Sequence, residues 1–420
     1  MENFEKRLED YAKLIVEVGV NVQKGQPVEI RIAADQYVFA EKLTKAAYEA
    51  GASSVRVDFN HQPLSLLHNQ YKTVEKLAEV SAEDKARLEY SVENLPAMIA
   101  ITSADPDGLK GMDMAKQQKA SAIRYPIIKP YIDKMESKYQ WVIAGAASPA
   151  WAQKVFPDLP AEEALAALWD AIFKTSRMEA GTDPVKNWDK HNASFKAHMD
   201  WLNEQHFDYL HYKSPKGTDF KAWLHPKVKW LGGGEKLHGG PERLGHEVFY
   251  NPNMPTEEIF TTPMKGKAEG TVYSTKPLSY MGQLIENFSI TFKDGKAVEW
   301  QAESGSEVLD KMITMDENAA YIGELALVPD SSPISQSGIL FYNTLYDENA
   351  SCHIALGAGF PDLYEDYDKY SREELEKLGI NDSMIHVDFM IGSNELDIDG
   401  YTKDGKCVPI FRKGEWAFEV

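Results

Sequence analysis

Cysteine is nearly absent: the 420-residue chain has two, Cys352 and Cys407. Two cysteines build no disulfide framework, and without a Cys-x-x-Cys pair there is no thiolate zinc site and no dithiol redox motif. A reducing compartment is the expectation. Basic residues are in deficit as well, with 45 Lys and Arg against 65 Asp and Glu and a formal net charge of -20. That balance argues against nucleic acid or an anionic membrane as partner, because both reward a basic face. No apolar run approaches the roughly 20 residues that span a bilayer. Residues 1–7 lead into an amphipathic helix rather than the basic-then-apolar pattern of a signal peptide. A soluble cytoplasmic protein is expected. Internal repeats and low-complexity linkers are absent too.

What remains is an ordinary globular composition, 43% hydrophobic and 26% charged, in a chain long enough for two domains of roughly 200 residues each. Phe4, Leu8, Tyr11, Leu14, Ile15 and Val18 recur at helical spacing before Gly19. Val28, Ile30 and Ile32 then alternate as in a strand, Val38 to Ala50 reads as a helix stopped by Gly51, and Val55, Val57 and Phe59 alternate again. The runs Ala97–Ile101 and Trp141–Ala144 read as buried strands, separated by helical character from Ile127 to Lys138. Strands alternating with helices imply right-handed crossovers and a mostly parallel sheet. Helical periodicity returns over 161–173 and 188–202. From about Asp208 the texture changes to short β-rich runs punctuated by Gly, Pro, Asn and Asp, as at Val272, Ile290, Phe292 and Trp300. The expected fold is α/β: an N-terminal, mostly parallel α/β domain, 1–190, and a C-terminal α+β domain, 191–420, rich in antiparallel strands and carrying the site.

The chemistry-bearing residues gather in that second half. His386 and Asp388 lie two apart in an apolar run, so a strand projects both from one face. Glu324 in Gly323–Pro329 and His353 in Asn349–Gly357 are polar ligand types among small and aliphatic residues, and Glu257 and Glu258 precede Ile259-Phe260-Thr261. The donor set is nitrogen and oxygen only, which suits Zn²⁺, Co²⁺ or Mn²⁺. It exceeds what one tetrahedral ion requires, so a carboxylate bridging two ions and activating a water is the natural hydrolytic reading. Two other readings stand beside it: a buried histidine bonded to a carbonyl explains His353 equally well, and His386 with Asp388 also describes a structural hydrogen bond. Trp230–Gly234 is expected as a turn or mobile lid, since it lacks the ending of a phosphate loop. Cys352 is expected to face away from His353 as a small buried residue, and the acidic stretch 362–376 to be solvated.

At these residues the chain resembles the thermophilic-type metallo-aminopeptidases, the family of aminopeptidase T and PepS. The resemblance runs through Tyr11–Val16, Gly19–Gln26 and Ala46–Ala52, then Ala150-Trp151-Ala152, Val155-Phe156-Pro157, Asp183-Pro184 and Trp188, and finally Asn253–Thr261 with the three later segments. It implies removal of N-terminal amino acids from short peptides by two divalent metal ions per subunit (Zn, Co or Mn) in a cytosolic homodimer. It also implies the metal ligands Glu258, Glu324, His353, His386 and Asp388, with Glu324 counted among the catalytic groups. Glu257 is the adjacent carboxylate considered for proton transfer. One departure stands out. The family pattern has a functional tyrosine seven residues after the first histidine, where this chain has Phe360; Tyr346 and Tyr364 are the nearby phenols. The alternatives are a ring-cleaving oxygenase with a single iron and a catalytically silent peptide binder. Retention of both Glu258 and Glu324 favours two ions, and retention of all five ligands argues against a silent protein.

Overall fold

Val28, Ile30 and Ile32, the alternating residues of the first apolar run, are fully buried along the strand Pro27–Ala33. That strand pairs in parallel with Ser54–Asn60 on one side and Ala97–Thr102 on the other. Trp141–Gly145 and then Asn253–Met254 extend the same parallel sheet to five strands. Helices Tyr37–Glu49 and Met114–Met135 lie in the connections, as βαβ crossovers require. The first helix, Phe4–Leu14, continues as a π-helical turn, Ile15–Gly19. Tyr11, Phe39 and Phe173 are buried around Trp169, with Tyr11 stacked on Phe39 at 5.6 Å between ring centres.

The computed structural model describes residues 4–135, 137–179, 181–280 and 283–420. The chain forms two units, Met1–Asp189 with Gly234–Pro255 and Lys190–Gly233 with Thr256–Val420. The fold is mixed α/β: the first unit carries the five-stranded parallel sheet and a short antiparallel pair, Glu235–Lys236 with Phe249–Tyr250, and the second unit is antiparallel. Among the described residues no helix is long and apolar enough to cross a membrane.

The second unit has an eight-stranded antiparallel sheet that includes Pro263–Tyr273, Ser289–Lys293 and Lys296–Gln301, where Val272, Ile290, Phe292 and Trp300 fall. Its five-stranded sheet runs in the order His386–Met390, His353–Gly357, Ile322–Leu327, Ile259–Thr261, Leu231–Gly232, each strand antiparallel to its neighbours. Leu231 and Gly232, expected as part of a turn, pair with Phe260 and Ile259 because those residues offer an open edge.

Register separates the two faces of this smaller sheet. Residues directly opposite in antiparallel strands point to the same side. Ile259, Leu325, Leu327, Ile354, Leu356 and Phe389 share one side and belong to the main hydrophobic core. Ala355 sits opposite both Glu324 and Asp388, Gly357 opposite His386, and His353 opposite Ala326 and Met390. Every polar donor is therefore on the other side, with alanine and glycine between them leaving room.

Glu324 reaches that side only through an irregularity. Ile322 pairs with Leu356 on the core face, and in an unbroken strand Glu324, two residues on, would follow it there. The register slips between Ile322 and Glu324, placing Gly323 as an extra residue that turns the strand over. A Cβ on Gly323 would meet the Ala358 carbonyl oxygen at 2.0 Å. Gly357, at φ +104°, closes the same corner, its absent Cβ lying 2.1 Å from the Ile385 oxygen.

Gly323→Val is therefore expected to be destabilising by about 1–3 kcal/mol, the usual range for forced overpacking. Thermal unfolding against wild type checks this. A variant that melts unchanged would show that the strand is not held by this approach.

Candidate metal centre

Strand pairing brings the five sequence-predicted ligands together. Ligand atoms of Glu258, Glu324 and His353 lie within 4.8 Å of one another, and so do those of Glu324, His386 and Asp388. The groups overlap at Glu324.

Both histidines are held in the same way. His353 Nδ1 donates to the Ser351 carbonyl at 3.0 Å, which leaves Nε2 3.0 Å from Glu258 Oε2. His386 Nδ1 donates to the Ala358 carbonyl at 2.7 Å, and its Nε2 lies 2.9 Å from Glu324 Oε2 and 3.4 Å from Asp388 Oδ1. A carbonyl oxygen only accepts, so Nδ1 carries the hydrogen in each ring and Nε2 is aimed at carboxylate. This is the arrangement of metal-binding histidines, whose second nitrogen is fixed by a backbone carbonyl or carboxylate. The Ala358 carbonyl is itself fixed, since its own N–H donates to Ile385 at 2.7 Å.

Charge in the site is out of balance. Glu324 is 3% accessible. Burial, with the neighbouring Asp388 and Glu258 carboxylates, pushes its carboxyl up to about 7 despite the hydrogen bond from His386. Burial would push His353 down, but the hydrogen bond and charge of Glu258, with Asp388 and Glu324, outweigh it and raise the imidazole to about 10. His386 sits at the rim; burial again works downward, and Asp388 and Glu324 raise it to about 11. Burial works upward on Asp388, and the His386 hydrogen bond and charge hold it below the usual carboxylate range. Asp388 Oδ1 is buried, with His386 Nε2 at 3.4 Å. Protons on the two Nε2 atoms thus stand where positive charge is wanted, and the donor set fits divalent cations of the N/O-binding kind.

Glu348 was not legible in the sequence. Burial and the charges of Glu258 and Asp388 push its carboxyl well above the ordinary range, so it belongs to the same electrostatic cluster. In the sequence it follows Asp347 and reads as a solvated acid. Glu257 is buried, but its carboxylate is in neither donor group. Its N–H donates to Asn349 Oδ1 at 2.6 Å, and Asn349 in turn donates to the Leu345 carbonyl at 3.0 Å. This ties the Glu257–Glu258 step to the segment that carries Glu348.

Phe360 packs on the site: its ring lies 5.0 Å from that of His386 and 5.1 Å from Phe260. Tyr346 stacks on Phe341, and Tyr364 belongs to a separate apolar cluster with Leu375 and Ile380. The phenols lining the adjoining cavity are Tyr280 and Tyr342 instead. That cavity, of about 240 Å³, opens beside His386, Asp388 and Glu348.

Comparison with known proteins agrees over the whole length. The family model described as thermophilic metalloprotease (M29) matches residues 4–416. The chain is 44% identical to aminopeptidase AmpS of Bacillus subtilis, covering 100% of both chains. It is 42% identical to aminopeptidase PepS of Streptococcus thermophilus, covering 99% of each. The solved structure of wild-type AmpT from Thermus thermophilus superposes with a TM-score of 0.88 at 36% identity, covering 99% of this chain and 100% of the other.

Loading a divalent cation into chelator-stripped protein is expected to release the His353 and His386 protons, since both imidazoles remain protonated well above neutral pH when no cation is present. Apparent affinity should rise by about tenfold per pH unit for each proton displaced, between pH 6 and 8, where the Glu324 proton adds to the effect. Calorimetric titration in buffers of differing ionisation enthalpy measures it. Affinity independent of pH would contradict the reading.

Proposed function

The chain belongs to the thermophilic metalloprotease (M29) family and is a metallo-aminopeptidase, and from that premise we propose that it acts on short peptides with a free amino terminus using two divalent cations, zinc, cobalt or manganese. The observation that carries the two-cation reading is the overlap of two donor groups at Glu324. Glu258, Glu324 and His353 form one, and Glu324, His386 and Asp388 the other, each with a histidine that is neutral as a ligand. Each group offers a nitrogen and two carboxylates, a set that suits one divalent cation.

In this assignment Glu258, Glu324 and His353 would hold one ion and Glu324, His386 and Asp388 the other. When bound, the cations supply Lewis acidity, activating a water and polarising the scissile carbonyl. The chain's own groups do the rest. The Ser351 and Ala358 carbonyls fix both rings, so the Nε2 positions are set before any ligand arrives. Glu348 lines the cavity, and bound cations would bring its raised carboxyl down, so that it could take a proton from water and return it to the leaving nitrogen; Glu257 is the neighbouring carboxylate for the same duty. Phe360 has no hydroxyl to give a tetrahedral intermediate, which leaves Tyr280 and Tyr342 as the cavity's phenols.

Protein stripped of metal and resupplied with Zn²⁺, Co²⁺ or Mn²⁺ is expected to release amino acid from unblocked short peptides and not from their N-acetylated forms. Cleavage of both alike would remove the aminopeptidase reading. Glu324→Ala is expected to lose both metal and activity with its circular dichroism unchanged; a fully active variant would take Glu324 out of the site.

A further inference from the structure

Glu348 is flanked in the chain by two side chains that bond to backbone rather than to the cluster. Asp347 ends the short helix Thr344–Asp347, and Asn349 lies in the 3₁₀ turn Glu348–Ala350 that continues it. Asp347 Oδ1 accepts from the Phe341 N–H at 2.7 Å and Oδ2 from the Asn343 N–H at 2.9 Å. Asn349 Oδ1 accepts from the Glu257 N–H at 2.6 Å, and its Nδ2 donates to the Leu345 carbonyl at 3.0 Å.

The two sets of bonds reach in opposite directions. Asp347 closes the loop before the helix, where Tyr342 holds φ +54°, a conformation that bulky residues rarely adopt. The N–H groups on either side of that residue converge on the one carboxylate. Burial pushes the Asp347 carboxyl up to about 6 against those two bonds and the attraction of Lys276, so at neutral pH it is ionised and both oxygens accept. Asn349 is fully buried and fastens the following residue position to the backbone just before Glu258.

A chain tied one residue before and one residue after leaves Glu348 little freedom beyond its own side-chain torsions. Glu348 lines the cavity with His386 and Asp388, while Asp347 and Asn349 belong to neither donor group. We propose that Asp347 and Asn349 are positioning residues for the reaction, which act by fixing where Glu348 presents its carboxyl. The proposal rests on the proton-transfer reading of Glu348 above. Proton transfer needs hydrogen-bond reach, about 2.6–3.2 Å between heavy atoms. A displacement of about 1 Å is enough to cost most of the effect.

The experiment is a double-mutant cycle on metal-loaded enzyme hydrolysing the dipeptide Ala-Ala, with Glu348→Gln, Asp347→Asn and the two combined. Asparagine keeps the size of Asp347 but turns an amide N–H toward one of its two donors, so one bond is lost. Glu348→Gln is expected to lower kcat by about a hundredfold or more, the range of general acid–base catalysis. Asp347→Asn should lower kcat by about tenfold to a hundredfold with metal content unchanged. Its KM should stay within about twofold, and in the Glu348→Gln background it should lower kcat no further. Should Asp347→Asn fail to fold, Asn349→Ala reads the same cycle. Losses that multiply in the double variant overturn the positioning role alone, and so does an Asp347→Asn enzyme that melts lower yet keeps wild-type kcat, as a merely structural carboxylate would give. Wild-type kcat in Glu348→Gln overturns the proton-transfer reading, and the proposal with it.

Discussion

Four carboxylates within one buried cluster repel one another, and the second unit is arranged around that repulsion. Glu258, Glu324 and Asp388 are brought onto one face of a five-stranded sheet by register, and Glu348 joins them from the turn that follows Asp347. Beside them stand two imidazoles, which hold protons far above their ordinary range to compensate. A cluster that raises its histidines this strongly is better completed by metal than by protons, because an ion places two charges where a proton places one.

Much of the architecture serves to keep that face open. The opposite face contributes Leu325, Leu327, Ile354, Leu356 and Phe389 to the core, so the sheet is anchored by ordinary apolar packing. The polar face has Ala326, Ala355 and Gly357 between its donors, and larger residues there would fill the space the donors enclose. Around the rim, Asn349 fastens the Glu257 backbone, and the Ser351 and Ala358 carbonyls orient the rings. The donor geometry depends on backbone groups as much as on the named side chains.

The fold and donor set were legible to different depths. Alternation at Val28, Ile30 and Ile32 and the short runs after Asp208 announced a parallel α/β unit and an antiparallel one, because period-2 burial leaves a local trace. His386 and Asp388 share a face as their spacing required, and Cys352 turns into the core, its Sγ 3.3 Å from the Val328 nitrogen. Glu324 was legible as a donor but not as to direction: Ile322 predicts the core side, and only the bulge at Gly323, against the Ala358 carbonyl, reverses it. Glu348 was invisible, since an acid beside another acid has the composition of a solvated loop. The pairing of Asn253 and Met254 with Ile143 and Ala144 is long-range and leaves no local signal either.

Anomalous diffraction from crystals grown with Zn²⁺ reads out directly whether two cations share Glu324. Two peaks per chain are expected, one beside Glu258 and His353 and one beside His386 and Asp388, with Glu324 between them. A single peak, or peaks away from Glu324, would rule out the shared carboxylate.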